Sequence, residues 1–254
     1  MNDPVIVVGI GEMGGVFTRG LLRLGHPVFP VTRKTEMNNI ARAVPDPRLV
    51  LVSVGEDDLH PTLESLPAAW KNHLGLLQNE LLPGDWKQHE IDNPTVISVW
   101  FEKKKGQDYK VLIPSPAYGP QAPLLENALT TLDIPTWEVA TPEAMEFELV
   151  RKNVYILTTN IAGMVVGGDV EQLWEQHQEL ARQVADEVMD IQAWLVGHHL
   201  ERDKLIDGMV EAIEGDLHHQ CTGRSAPKRL ARALAYADEA GLKVPKLREI
   251  QESC

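Results

Sequence analysis

Cysteine is scarce in this chain: two residues in 254, Cys221 and Cys254, both late in the sequence. Two thiols so placed cannot staple a small fold, so no disulfide framework is expected, and they read as incidental thiols of a reducing cytoplasm. Basic residues are also in short supply. Lys and Arg total 24 against 37 Asp and Glu, a formal net charge of −13. That balance argues against nucleic acid or an anionic membrane as the main partner, since either needs a broad cationic surface. No long apolar run is present. Residues 154–168 come nearest and are interrupted by Thr158, Thr159 and Asn160, so no bilayer-crossing segment is expected. The first residues pass directly into Pro4-Val5-Ile6-Val7-Val8 with neither a basic region nor a cleavage site, so no signal peptide is expected.

What is present is the composition of a globular protein. Hydrophobic residues make up 43% and charged residues 24%, enough apolar material for one large core or two modest ones. The first 140 residues alternate short β-rich runs with helical stretches. Residues 5–10 form a continuous apolar run, as expected of a strand covered on both faces of a parallel sheet. Residues 16–24 read as the following helix, 28–31 as the next strand, and 49–54 and 74–77 as a third and fourth. Residues 95–102 and 109–113 suggest a hairpin joined by Lys103-Lys104-Lys105-Gly106, and 114–123 read as loop from their Pro and Gly content. Residues 124–132 read as helix and 136–139 as a last strand. This order implies an α/β fold with a Rossmann-type doubly wound parallel sheet.

From Thr141 onward only helical patterns occur. Thr141 suits an N-cap, Pro142 a first turn and Glu143 the positive end of the dipole, for a helix reaching about residue 166. Gly167-Gly168 stops it, and Asp169 caps a second helix expected to run to about residue 196. Further helices are expected over 201–214, 227–240 and 245–252. The predicted organisation is an α/β domain over 1–140 followed by an all-α domain over 141–254, with the active cleft between them.

The spacing Gly9-Ile10-Gly11-Glu12-Met13-Gly14 carries a mechanism. Gly9 allows a tight turn off the strand, Gly11 lets a pyrophosphate approach the backbone, and Gly14 permits close packing of the next helix. The N–H groups at that helix start then face the phosphates. The second strand decides which nicotinamide cofactor is preferred. NAD sites place an acid at its end to bind the ribose 2′-hydroxyl, whereas this chain has Val31-Thr32-Arg33-Lys34. Arg33 can grip a 2′-phosphate with its planar fork, and Thr32 or Lys34 can add a hydrogen bond. Glu36 is the only acid nearby in sequence. NADP(H) is therefore the expected cofactor.

A reductase also needs a proton donor beside the nicotinamide. Lys152 is the candidate, about three turns into a helix that then becomes apolar, where burial would disfavour a charged lysine. Asn160 lies about 80° further round and two turns along, so one small molecule could span both. Together, the glycine turn, Gly25-His26-Pro27-Val28 leading into a strand that ends near Arg33, and the Lys152-to-Asn160 helix resemble ketopantoate reductase. Gly223-Arg224-Ser225 and Ala240-Gly241-Leu242-Lys243-Val244-Pro245 are similar to that family's closing segment. The resemblance implies NADPH-dependent reduction of a small 2-oxo acid to an alcohol, with Lys152 giving the proton. It also implies that Asn79 touches the cofactor and that Asn160 and Ser225 hold the substrate. A homodimer built on the helical domain is the implied assembly.

The chain departs from the family pattern in places. Val54-Gly55-Glu56-Asp57-Asp58 stands where the family carries a second lysine, Ile156 replaces an asparagine, and Ala226-Pro227-Lys228 replaces a glutamate-bearing segment. Two alternatives therefore stay open: a β-hydroxyacid dehydrogenase relative, suggested by Met13, and a non-catalytic NADP(H)-binding protein. His218, His219 and Cys221 lack a second ligand pair at zinc spacing, so no metal is expected. Trp100, Trp137, Trp174 and Trp194 are expected to pack in cores, and Tyr118 to lie in the Pro-rich loop.

Overall fold

The structure is a computed structural model that describes residues 2–253; Cys254 lies outside them. The chain divides into two compact units, one ending at Leu149 and the other beginning at Val150. The first unit contains, in order, β1 (Val5–Val8), α1 (Glu12–Arg23), β2 (Val28–Val31), α2 (Met37–Ala43), β3 (Leu49–Val52), α3 (Leu59–Glu64), β4 (Leu74–Leu76), α4 (Pro83–Lys87), β5 (Thr95–Ile97), β6 (Phe101–Lys103), β7 (Tyr109–Val111), β8 (Ser115–Tyr118), α5 (Ala122–Thr130) and β9 (Thr136–Glu138). Helix α6 (Pro142–Val166) runs from the first unit into the second, which continues with α7 (Val170–Gln176), α8 (Gln178–Val196), α9 (Arg202–Gly215), α10 (Ala226–Ala240) and α11 (Pro245–Ser253).

Seven strands form the main sheet in the order β2-β1-β3-β4-β5-β8-β9. All neighbours are parallel except β5 and β8. The chain steps from β1 to β2 on one side and returns to β3 on the other, so the winding direction reverses at β1. Ligands of open α/β sheets bind at such a reversal, beyond the carboxyl ends of the strands. The all-apolar sequences of β1 and β3 follow from this position, because both strands are buried at every residue. On one face Val5, Val7, Leu49 and Leu51 pack with Phe17 and Leu21 of α1 and with Leu125, Ala128 and Leu129 of α5.

Several elements differ from the sequence expectation. Residues 114–123 are not all loop, since β8 lies within them as an internal strand. Pro116 has no N–H to give, but its carbonyl accepts from Ser98 N–H at 3.0 Å, while Ser115 N–H donates to Pro135 O at 3.0 Å. Tyr118 accordingly lies on a strand. Residues 95–102 are not one arm of a hairpin. Residues 95–97 join the main sheet, and β6 pairs separately with β7. Between them Trp100 N–H is taken by the Ser115 hydroxyl at 2.9 Å, which ends the ladder. The helix expected from Asp169 to residue 196 is broken at His177, whose φ −131° and ψ 31° are not helical. Trp137 and Trp194 are exposed, not core residues.

The second unit is built mainly on helix packing, with one isolated antiparallel bridge between Asp169 and Gln220. Ala181, Val184, Val188 and Ile191 form the buried stripe of α8, and Leu230, Ala233, Leu234 and Ala237 that of α10. Asn153 Nδ2 donates to Gln192 Oε1 at 3.0 Å, a buried polar pair joining α6 to α8. Asp169 Oδ1 accepts from Gln172 N–H at 3.0 Å and caps α7. Replacing Asp169 by Ala should cost about 1 kcal/mol, or roughly 2–4 °C of melting temperature. An unchanged thermal melt would show that cap to be dispensable.

Candidate active site

The glycine turn leaves β1 at the winding reversal, and its three glycines have different surroundings. Gly9 has φ +92°, and a Cβ there would stand 2.9 Å from the Ser53 carbonyl oxygen. A Cβ on Gly14 would press into the Gly9 carbonyl oxygen and reach within 2.6 Å of Ser53 Oγ. Gly11 has nothing within 4 Å of where its Cβ would be. Two glycines are thus required by the fold, and the third opens onto free space. Ser53 ties the turn down. Its N–H donates to Val8 O at 2.8 Å, and its Oγ donates to Gly9 O at 2.6 Å. The N–H groups of Glu12, Met13 and Gly14 precede the first bond inside α1, from Gly15 N–H to Gly11 O at 2.9 Å. They form the positive end of a helix of 12 residues.

Beside this turn lies a cleft of about 750 Å³, lined among others by Gly9, Ile10, Gly11, Thr32, Arg33 and Lys34. Ser53, Gly55, Asp58, Pro61 and Thr62 close its other side. The carboxyl ends of three adjacent strands thus contribute its walls. Ile10 is 42% exposed, an apolar side chain left uncovered at the rim. After β2 the chain makes a tight turn in which Thr32 N–H donates to Thr35 Oγ1 at 3.0 Å and Thr35 N–H to Thr32 O at 2.9 Å. Arg33 projects from this turn with its side chain 91% exposed, and its Nη2 lies 3.0 Å from Asp58 Oδ2.

Other predicted residues sit differently. Met13 packs against the core, while its N–H stays at the start of α1. Asn79 is half-buried after β4 and is not among the residues lining this cleft. Its neighbour Gln78 is buried and donates to Val52 O at 2.7 Å, linking the ends of β3 and β4. Glu12 carries an anion next to a turn suited to phosphates, and Lys103 Nζ neutralises it at 3.1 Å. Lys103 belongs to β6, not to the connection read from sequence.

In the second unit, Lys152 is 4% exposed on α6. Asn160 donates from Nδ2 to Cys221 O at 3.0 Å and accepts from Arg229 Nη1 at 2.7 Å. Ser225 precedes α10, and its carbonyl accepts from Arg229 N–H at 3.0 Å. The Arg229 side chain, which the sequence reading missed, thus ties α10 to Asn160 on α6. Burial, with Asp169 adding to it, pushes the Cys221 thiol up to about 12, so it stays protonated and unreactive. Ligand atoms of Asp169, Glu171 and His218 lie within 4.8 Å of one another, but Asp169 already caps α7.

No family model matches the sequence, and no curated protein matches it. Solved structures do. A ketopantoate reductase of the PanE/ApbA family from Ralstonia eutropha is 16% identical and superposes over 97% of this chain and 95% of its own, with TM-score 0.68. The fold is that of the ketopantoate reductases. A dimeric ketopantoate reductase from Staphylococcus aureus, 13% identical, matches over 97% of this chain and 96% of its own with TM-score 0.68. A D-mandelate dehydrogenase solved with NADH, 12% identical, matches over 98% and 96% with TM-score 0.70. The ketopantoate reductase fold thus spans both units. Among the described residues, no helix is long and apolar enough to cross a membrane.

Proposed function

We propose that the chain is a nicotinamide-dependent oxidoreductase of the ketopantoate reductase type, using NADP(H) and acting on a small 2-oxo acid or related carbonyl. The observation that carries the reading is the open backbone at Gly11, beside a cleft at the winding reversal of the sheet. Gly9, Ile10, Gly11, Glu12, Met13 and Gly14 hold the pyrophosphate through backbone N–H groups. Thr32, Arg33 and Lys34 hold the 2′-phosphate, with Arg33 the main contact, and Asn79 contributes from the end of β4. When bound, the nicotinamide supplies the hydride that reduces the carbonyl carbon.

Lys152 supplies the proton to the carbonyl oxygen as negative charge develops there, and Asn160 and Ser225 orient the substrate. The same residues serve the oxidation of a hydroxy acid by microscopic reversibility. The fold shared with a D-mandelate dehydrogenase lends support to that direction. The chain also forms a homodimer, a reading supported by the dimeric neighbour, and the helical unit is assigned the contact.

Cofactor choice is testable by thermal shift. NADPH at a hundredfold excess over its Kd should raise the melting temperature by roughly 5–10 °C, from about 2.7 kcal/mol of linkage. NADH at the same concentration should raise it less, and Arg33→Ala should remove the advantage of NADPH. A larger shift with NADH would remove Arg33 from its assigned role.

A further inference from the structure

The 2′ end of the cleft contains an acid that linear sequence does not associate with it. Asp58 lies 25 residues beyond Arg33, in the turn after β3, and its Oδ2 stands 3.0 Å from Arg33 Nη2. Both residues line the cleft. The backbone that carries this carboxylate is held in place: Asp58 N–H donates to Gly55 O at 3.0 Å, and its own carbonyl accepts from Thr62 Oγ1 at 2.6 Å. Helix α3, which follows directly, is tied to the segment after α4 by a 2.9 Å contact between His60 Nδ1 and His89 Nε2. The backbone position of the acid is therefore fixed, and its carboxylate meets the guanidinium across the cleft.

We propose that Asp58 sets this protein's choice between the 2′-phosphate of NADP(H) and the 2′-hydroxyl of NAD(H). The inference rests on the reading of the cleft as a nicotinamide-nucleotide site. A 2′-phosphate must take the guanidinium away from Asp58 and then sit near that carboxylate, an anion beside an anion. A 2′-hydroxyl has no such conflict, because it donates a hydrogen bond to the carboxylate while the ion pair remains. Arg33 alone would favour NADPH strongly; Arg33 paired with Asp58 narrows that preference. Asp58 thus does from the third strand what an acid at the end of the second strand does in NAD-specific sheets.

The test is calorimetric titration of NADPH and NADH into the wild-type chain, D58N, R33A and the double variant. Removing one carboxylate charge beside the phosphate should raise the ratio of NADPH to NADH affinity by roughly tenfold in D58N. Part of the gain should remain when Arg33 is also absent, because the carboxylate repels the phosphate directly as well as competing for the guanidinium, and the difference between the two backgrounds measures the coupling of the pair. Both side chains are exposed, so D58N should melt with the wild type when no nucleotide is present. An unchanged affinity ratio in D58N, with NADPH still bound through Arg33, would overturn the role of Asp58 and leave the nucleotide site standing. Failure of both nucleotides to bind any of the four proteins would overturn the site itself, and the inference with it.

Discussion

Gly14→Ala is expected to damage both stability and nucleotide binding, whereas Gly11→Ala is expected to damage binding alone. At Gly14 an added methyl collides with the Gly9 carbonyl and the Ser53 hydroxyl. Neither can yield easily, because Ser53 Oγ and Gly9 O are bonded to each other at 2.6 Å. Overpacking of this kind costs about 1–3 kcal/mol, or roughly 3–10 °C of melting temperature for a chain of this length. Helix α1 would also shift away from β1, carrying its N–H groups out of position. At Gly11 the methyl meets nothing, and the backbone angles there suit alanine. The nucleotide-free protein should stay within about 1 kcal/mol of wild type, the cost of a weaker cap. The methyl would occupy the space through which a pyrophosphate approaches, so NADPH affinity should fall at least about tenfold. Melting curves with and without NADPH separate the two. Equal behaviour of the variants would show that the turn does not divide its labour in this way.

Lys152→Ala is expected to lower turnover of a 2-oxo acid by about 10²- to 10⁴-fold, the usual contribution of a positioned proton donor. Nucleotide affinity should be unaffected, because every cleft residue assigned to the nucleotide lies in the first unit. Lys152 is buried, so truncation also removes packing. Lys152→Met keeps the stem without the ammonium, and it separates chemistry from folding. Turnover is followed as loss of NADPH absorbance over a panel of 2-oxo acids. Full activity in the Met variant would eliminate Lys152 as donor. A panel without turnover, alongside intact NADPH binding, would favour the non-catalytic reading.

The parts of the fold legible in the sequence are those specified by local pattern. Continuous apolar runs gave β1 and β3, and Thr141-Pro142-Glu143 marked the start of α6, where Ala144 N–H does donate to Thr141 Oγ1 at 3.2 Å. Strand β8 was hidden because its Pro and Gly neighbours read as loop. A strand needs only the acceptor of Pro116 if its other neighbours donate, and that depends on which strands flank it. The break between α7 and α8 carried no Gly or Pro signal. His177 leaves helical geometry without one.

The candidate site divides along the same line. The Gly9-Gly11-Gly14 turn and Arg33 could be read from spacing, because the conformational freedom of glycine and the charge of arginine are properties of single residues. Ser53, Lys103, Asp58 and Arg229 could not. Each acts by meeting a group 25 to 91 residues away in sequence, and only the sheet order and helix packing create those meetings. By itself the sequence determined an α/β fold with a glycine turn suited to a dinucleotide. The tertiary structure decided which glycine faces open space and which are pinned by Ser53. It also brought an acid to the arginine, because parallel strands on the two sides of β1 end at one edge of the sheet.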